Sequence, residues 1–214
     1  MCVILVCPPK VRPGLNALMA CDAANPHGAG VAWREKGEVR WTKNLGPVEV
    51  HQLVRKLKGE VVIHFRWASV GGVSPELCHP FPVNKSAQTA LVGKATRVLF
   101  HNGTWGGFRD ALAYIERAEK RQIGGPISDS RVMALLVNHL HDPDLLESVD
   151  GRFVLMSASK TSLFGQWREW QGMRCSNLGF LYELERSCNP RWKKSPKATD
   201  QLALWAAAGE EGAK

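Results

Sequence analysis

Apolar and polar residues alternate along the chain with two different periods, which together predict a mixed α and β protein. Short apolar runs predict strands at 2–7, 29–35, 38–43, 60–68, 152–157, 161–166 and 178–184, with two more inside 89–101, split near Gly93. Helical spacing predicts helices at 47–58, 105–121, 129–141 and 198–208, and 14–24 is typical of a short helix or a loop. Because strands come first and last with paired helices between them, this order favours a sandwich of two sheets covered by helices over a doubly wound fold.

The length of the chain favours one large domain followed by a tail. Its 214 residues are 44% hydrophobic, which is enough for a sizeable core. We assign residues 2–185 to this domain and 186–214 to a basic C-terminal tail with a short helix, because the residues after 185 are too few for a second core. The tail carries Arg186, Arg191, Lys193, Lys194 and Lys197 around Trp192. Such a cluster adds to the net charge of +8 and can bind a nucleic-acid backbone or an acidic protein, although a short charged run is more often solvated.

Neither membrane insertion nor secretion is predicted. The chain has no apolar run of about eighteen residues, the length that suggests a membrane-spanning helix. Prolines and basic residues at positions 8–12 interrupt the apolar start, which is untypical of a signal peptide. Six cysteines, at positions 2, 7, 21, 78, 175 and 188, lack CxxC spacing, which argues against a zinc ribbon and a disulfide framework. We therefore expect the protein in a reducing cytoplasm.

A metal centre is the competing use of the histidines and cysteines. His64, Cys78, His79 and His101 are candidate ligands, but no HxxxH or CxxC spacing supports them. We therefore expect neither a metal nor a cofactor.

Four stretches contain residues that often carry chemistry: NPHGAGVAW (25–33), HFRWASVGGVSPELCHPF (64–81), LFHNGTWGG (99–107) and ISDSRV (127–132). Each has an ordinary explanation when taken alone. The Asn-Gly pair at 102–103 is typical of a hairpin turn, and Ser or Asp at 128–129 can cap a helix. Arg66 can form a surface ion pair, His79 can be a plain loop histidine, and Cys2 can be a small hydrophobe at the start of a core strand.

In this order, after an N-terminal cysteine, the stretches resemble a class II glutamine amidotransferase domain of the N-terminal-nucleophile (Ntn) hydrolase superfamily. The matching residues are Met1-Cys2, Asn25-Pro26-His27-Gly28-Ala29-Gly30, Arg66-Trp67-Ala68-Ser69-Val70-Gly71 with His79-Pro80, His101-Asn102-Gly103 and Ser128-Asp129-Ser130. The resemblance covers residues 2–180 and is closest to free-standing members of the family. It implies an α+β fold, the Ntn-hydrolase four-layer αββα sandwich of two mainly antiparallel sheets covered by helices.

The resemblance implies that Cys2 is the nucleophile once Met1 has been removed. The thiol then lies beside its own α-amino group, which has an ordinary pKa of about 7.7–8.0 and can accept the thiol proton. Attack on the side-chain amide of glutamine gives a tetrahedral oxyanion, then a thioester with loss of ammonia, and water completes the hydrolysis. The resemblance assigns the oxyanion hole to the Asn102 side-chain amide and the Gly103 main-chain N–H, both of which are suitable donors.

The resemblance also implies a pocket for an amino acid. Arg66 matches the arginine that binds the substrate α-carboxylate, a task suited to a planar guanidinium. Asp129 matches the acidic residue that binds the α-ammonium group. Trp67, Ser69 and His79 belong to the loop that covers the substrate in the family.

Three positions depart from the family pattern and leave the substrate open. His27 stands where Asp is usual, and Val70 stands where some relatives have His. Arg131 stands where Glu is common, and we expect it to place a cation near the ammonium site. Two alternatives therefore remain: an Ntn amidase acting on a γ-glutamyl compound or another amide, and an inactive Ntn-fold binding protein.

Ammonia released from glutamine normally passes to a synthetase domain. A chain of this length leaves no room for one beside the predicted domain. We therefore expect either that a separate protein accepts the ammonia or that the enzyme simply hydrolyses an amide.

Overall fold

The computed structural model describes residues 2–188, which form eleven strands, five α-helices and two short 3₁₀ turns. The strands are β1 (Val3–Cys7), β2 (Ala29–Glu35), β3 (Glu38–Leu45), β4 (Val61–Phe65), β5 (Phe81–Pro82), β6 (Val92–Ala95), β7 (Arg97–Asn102), β8 (Arg152–Ser157), β9 (Thr161–Phe164), β10 (Arg168–Trp170) and β11 (Met173–Cys175). The helices are α1 (Leu15–Ala24), α2 (Pro47–Val54), α3 (Phe108–Glu119), α4 (Asp129–Leu140) and α5 (Phe180–Cys188). The 3₁₀ turns are Pro75–Leu77 and Asp144–Glu147.

The strands form two antiparallel sheets. The larger sheet has seven strands in the order β10-β11-β1-β4-β2-β3-β6, and the smaller has four in the order β5-β7-β8-β9. β1 lies inside the larger sheet, where Val3 pairs with Phe65 of β4 and Leu5 pairs with Cys175 of β11. The residue before β1 is therefore held from both sides, next to the segment that follows β4.

The two sheets pack face to face and helices cover both outer faces. Alternate residues of β1 point to opposite sides of the sheet. Val3 and Leu5 belong to the core under α1, α2 and α5, whereas Ile4 and Val6 belong to the core between the sheets, with Phe100 of β7. A third core lies between the smaller sheet and helices α3 and α4. The predicted four-layer αββα sandwich of two antiparallel sheets is confirmed.

Two predictions about elements were wrong, and three short strands were not predicted. Most of the segment 178–184, predicted as a strand, belongs to helix α5, which begins at Phe180 and whose Phe180, Leu181 and Leu184 pack against the core at helical spacing. Strands β5, β10 and β11 were not predicted because they have only two or three residues each. The break within 89–101 falls between β6 and β7, not near Gly93.

Gly93 lies within β6 because the strand packs closely on an aromatic ring. A Cβ atom at this position would lie 2.2 Å from the indole of Trp41, which is buried on the neighbouring strand β3. Glycine lets the strand cross the ring without a clash.

The proposed boundary at residue 185 falls inside α5, which continues to Cys188. The basic cluster around Trp192 and the helix predicted at 198–208 lie outside the described residues. Within residues 2–188, no helix is both long and apolar enough to cross a membrane.

Candidate active site

Cys2 lines a pocket and immediately precedes β1, an interior strand of the larger sheet. Its side chain is buried, and its sulfur contacts the main chain of Trp67, the second residue after β4. The Trp67 N–H donates to Cys2 Sγ at 3.2 Å, and the thiol lies 3.4 Å from the Trp67 carbonyl oxygen. The pairing of β1 with β4 thus fixes the direction of the thiol.

Burial raises the pKa of the Cys2 thiol above its ordinary value, and the N–H of Trp67 and the charge of Arg66 oppose that shift in part. A thiol with a raised pKa is largely protonated at neutral pH, and only the thiolate is strongly nucleophilic. A nucleophilic Cys2 therefore needs a nearby base.

Arg66 follows β4 and is only 3% exposed. Its Nη2 donates to the carbonyl oxygens of Val70 at 3.2 Å and Gly72 at 2.8 Å, so the guanidinium is held by the loop that follows it. Its Nη1 is buried and has no hydrogen-bond partner in residues 2–188. A buried cationic donor without a partner is costly, so this atom is well suited to an anionic ligand.

The turn at 25–30 supports the loop that carries Arg66. The His27 N–H donates to the Arg66 carbonyl oxygen, and the Arg66 N–H donates to the Gly28 carbonyl oxygen. His27 Nδ1 accepts from the Ala68 N–H at 2.9 Å. Although His27 departs from the family pattern, its imidazole still anchors this loop.

Gly30 permits the close approach of the His79 segment. A Cβ atom at residue 30 would lie 1.7 Å from the carbonyl oxygen of His79. Position 30 therefore accepts no side chain unless the segment that brings His79 to the pocket moves away.

Asn102 is the last residue of β7, and Gly103 follows it. Gly103 lines the same pocket as Cys2, whereas Asn102 is 1% exposed and lies behind the lining. Asn102 Nδ2 donates to Ser176 Oγ at 2.8 Å, and its Oδ1 has no partner in the described chain. Ser176, Asn177 and their contacts with β1 were not predicted, because no motif marks them.

Asp129 is the first residue of α4, but Ser128 caps the helix by accepting the Arg131 N–H at 3.2 Å. Asp129 Oδ2 accepts the Trp105 N–H at 2.9 Å, and Oδ1 accepts the Ser130 N–H at 2.8 Å. A carboxylate has about four acceptor positions, so Asp129 keeps capacity for another donor. This buried carboxylate is thus oriented by the main chain on both oxygens.

His101 connects this corner to the end of β7. Its Nδ1 lies 3.0 Å from Ser130 Oγ and 3.9 Å from Asp129 Oδ2, and its ring stacks on Phe153. Burial lowers the pKa of His101 to about 4, although Asp129 opposes the shift. The imidazole is therefore neutral at pH 7. Its place beside the pocket was not predicted.

The expectation that Arg131 places a cation near the ammonium site was wrong. Its guanidinium donates to three carbonyl oxygens away from the pocket, those of Ala87, Pro126 and Ser86. Arg131 therefore joins the start of α4 to the loop after β5 and does not face a ligand.

One pocket brings most of the predicted residues together. Its lining includes Cys2, Arg66, Trp67, Ser69, His79, Gly103 and Asp129 from the predicted set, and also Val70, Leu77, His101, Ser128 and Ser130. A thiol, a guanidinium and a carboxylate thus share one small concave surface. Within residues 2–188, no group of three or more histidine, cysteine or acidic side chains could hold a metal ion.

Comparisons with known proteins bear on the fold alone. No protein-family model matches the chain, and a search of curated protein sequences found no match. Among solved structures, glutamine phosphoribosylpyrophosphate (PRPP) amidotransferase from B. subtilis, complexed with ADP and GMP, aligns with a TM-score of 0.56 and 15% sequence identity. The alignment covers 86% of this chain and 44% of that enzyme.

A second structure, described as the allosteric regulatory enzyme of purine biosynthesis, aligns with a TM-score of 0.49 and 20% identity over 74% of this chain and 36% of that one. This second likeness is too low to support a conclusion. The first shows that the described chain has the same fold as the aligned part of a glutamine PRPP amidotransferase.

Proposed function

We propose that this chain is a glutamine amidotransferase type 2-like amidohydrolase that releases ammonia from the side-chain amide of glutamine. The observation that carries the proposal is the pocket in which Cys2 lies with Arg66 and Asp129. These three groups are a nucleophile and two opposite charges, which is the set that a free amino acid with a reactive side chain requires. The fold shared with a glutamine PRPP amidotransferase supports the proposal.

The nucleophile is the Cys2 thiol, and the base is its own α-amine after removal of Met1. Burial raises the thiol pKa, so the thiol needs a base to become a thiolate. The α-amine of the same residue, with an ordinary pKa of about 7.7–8.0, is partly unprotonated near neutral pH and lies within reach of the thiol proton. The thiolate attacks the amide carbonyl, the proton goes to the leaving ammonia, and a thioester remains. Water then hydrolyses the thioester and releases glutamate.

The negative oxygen that develops during attack requires hydrogen-bond donors. We assign this role to the Asn102 side-chain amide and the Gly103 N–H. Gly103 lines the pocket beside Cys2, which supports its part of the assignment. Asn102 lies behind the lining, and its amide has one N–H committed to Ser176, so the second N–H remains for the oxyanion.

The charges of the substrate are bound by two residues that line the pocket. We assign the α-carboxylate to Arg66, whose Nη1 has no partner in residues 2–188, and the α-ammonium group to Asp129. Trp67, Ser69 and His79 line the pocket and are assigned to covering the substrate.

Ammonia transfer to a separate acceptor protein, in the cytoplasm, completes the proposal.

The second candidate function is hydrolysis of a γ-glutamyl or other amide by the same cysteine. It is favoured by the side chain of Trp67, which is 47% exposed at the pocket and can contact a larger leaving group. An inactive binding protein would require no reactive thiol, and the cluster of Cys2, Arg66 and Asp129 argues against it.

The test is the release of ammonia and glutamate from free L-glutamine, measured beside γ-glutamyl-p-nitroanilide and L-asparagine. We expect equal amounts of ammonia and glutamate from glutamine and little turnover of asparagine, whose amide is one methylene closer to the α-carbon. Turnover of the anilide without turnover of glutamine would establish the amidase instead. No turnover of any of the three would contradict both enzyme functions.

Arg66→Lys is expected to reduce kcat/KM for glutamine by about 10- to 100-fold, mainly through KM, because charged hydrogen bonds contribute roughly 1.5–3 kcal/mol and lysine lacks the planar fork. Steady-state kinetics measure this effect. Arg109→Lys, an exposed residue of α3, is the matched control and should retain wild-type kinetics. Unchanged KM in Arg66→Lys would contradict the assignment of the α-carboxylate.

A further inference from the structure

Ser176 connects three parts of the site that are far apart in sequence. It follows β11 and is 1% exposed. Its N–H donates to the Ile4 carbonyl oxygen at 3.0 Å, and its Oγ accepts the Ile4 N–H at 2.8 Å. The same Oγ accepts from Asn102 Nδ2 at 2.8 Å. One hydroxyl therefore joins the nucleophile strand β1 to the side chain at the end of β7.

Asn177, the next residue, contacts Cys2 itself. Its Nδ2 donates to the Cys2 carbonyl oxygen at 2.6 Å, and its Oδ1 accepts the Gly179 N–H at 2.9 Å. Two consecutive residues thus hold two parts of the site: Asn177 binds the main chain of Cys2, and Ser176 binds the amide of Asn102.

The hydrogen bond from Asn102 determines where its amide can point. A side-chain amide is planar, so the direction of one N–H fixes that of the other. Asn102 Oδ1 has no partner in residues 2–188, so the contact with Ser176 orients the group. Without this contact, the amide could rotate about its last side-chain bond, since such terminal torsions are soft.

We propose that Ser176 is the positioning residue for oxyanion stabilisation: it holds the Asn102 amide in a fixed relation to the strand that carries Cys2. This inference rests on the proposed function, in which the second N–H of Asn102 binds the developing negative charge. Donors that are oriented before the reaction stabilise a transition state more than donors that must first reorganise. Ser176 acts through Asn102 and does not line the pocket.

The test is a double-mutant cycle between Ser176 and Asn102. We expect Ser176→Ala to lower kcat for glutamine by about 10- to 100-fold with little change in KM. Losses of this size are typical when a residue that orients a functional group is removed. Asn102→Ala alone should lower kcat by about 10²–10³-fold. In the Asn102→Ala background, Ser176→Ala should cause less than a twofold further loss. Independent, multiplying losses would overturn the proposal, because Ser176 would then act only by supporting β1.

Two further variants separate positioning from a general structural effect. Ser176→Thr retains the hydroxyl and should restore most of kcat. Ser162→Ala removes a serine from β9 in the other sheet and should leave the kinetics unchanged. A low kcat in a folded Ser176→Thr protein, or an equal loss in Ser162→Ala, would overturn the proposal.

A readout that needs no substrate distinguishes this proposal from the proposed function. The side-chain amide protons of Asn102, identified in ¹⁵N spectra by their absence in Asn102→Ala, should exchange with solvent at least about tenfold faster in Ser176→Ala than in wild type. If the wild type does not hydrolyse glutamine, the proposed function fails, and this exchange rate alone decides the positioning role. Equal exchange rates would overturn it.

Discussion

Cys2→Ala is expected to lower glutamine hydrolysis by about 10⁴-fold or more, the order of loss that follows removal of a nucleophile. Alanine has no atom that can form the thioester, and the remaining donors of the pocket cannot replace a covalent step. The fold should persist, because Cys2 precedes β1 and the strand pairs on both sides without its sulfur. Ammonia release, thermal unfolding and intact mass after incubation with glutamine measure these outcomes.

Cys188→Ser is the matched control for Cys2→Ala. Cys188 is an exposed thiol at the end of α5, so its loss removes a reactive sulfur without touching the pocket. Its activity should equal that of the wild type. Full activity in Cys2→Ala, or a loss of activity in Cys188→Ser, would show that another thiol carries the reaction.

Acidification from pH 7 to pH 5 is expected to lower the free energy of unfolding by about 5–6 kcal/mol, because three histidines are buried in the neutral form. Burial lowers the pKa of His64 to about 3 and that of His101 to about 4, and lowers the pKa of His79 well below its ordinary value. The unfolded chain therefore binds more protons than the native state in this range. Stability is present above pH 6.5 and is lost as the pH falls towards the native pKa values.

The size of this effect follows from the unfolded state alone. A histidine with an ordinary pKa of about 6.5 that stays neutral when folded destabilises by about 2 kcal/mol at pH 5 relative to pH 7. Three such residues are a large fraction of the roughly 5–15 kcal/mol by which domains are stable. Aspartate and glutamate titrate mainly below this range, so they do not obscure the result.

Urea unfolding at pH 7 and pH 5 measures the difference. His64→Phe removes one buried titrating ring, which lies beside His79 and Phe100, and should lower the pH-dependent loss by about one third. His51→Gln on helix α2 is the matched control and should show the full loss. A wild-type protein equally stable at both pH values would contradict neutral burial of the three rings.

The layers of the fold were predicted from the sequence, and so were seven of the twelve residues that line the pocket; His101 and Leu77 are among those that were not. Several predicted pocket residues sit beside the end of an element that the hydrophobic pattern had marked, as Arg66 does after β4 and Gly103 does after β7. The end of an element is visible in a sequence because the hydrophobic pattern stops there. Pairing of the strands then brought these ends together.

Residues that act through hydrogen bonds to other side chains could not be predicted. Ser176 and Asn177 follow a three-residue strand with little pattern, and their partners are 74 and 175 positions away, respectively. The prediction for Arg131 was wrong because residues close in sequence can face different ways. Asp129 lines the pocket, whereas the guanidinium of Arg131 donates to the carbonyl oxygen of Ala87. The direction of a side chain on a helix depends on which loop packs against it, and spacing along the chain does not contain that information.

The place of β1 in the sheet also sets the order in which the protein can be assembled during synthesis. β1 pairs with β4, about sixty positions later, and with β11, and Asn177 near the other end of the described chain binds the main chain of Cys2. Such distant pairings form slowly. A nascent chain that has not yet produced β11 leaves one edge of β1 open, and an open apolar edge invites pairing with another chain. The thiol that we assign to catalysis thus takes its final position only when almost the whole described domain has left the ribosome, so chaperone dependence and yield should be most sensitive to changes at 173–177.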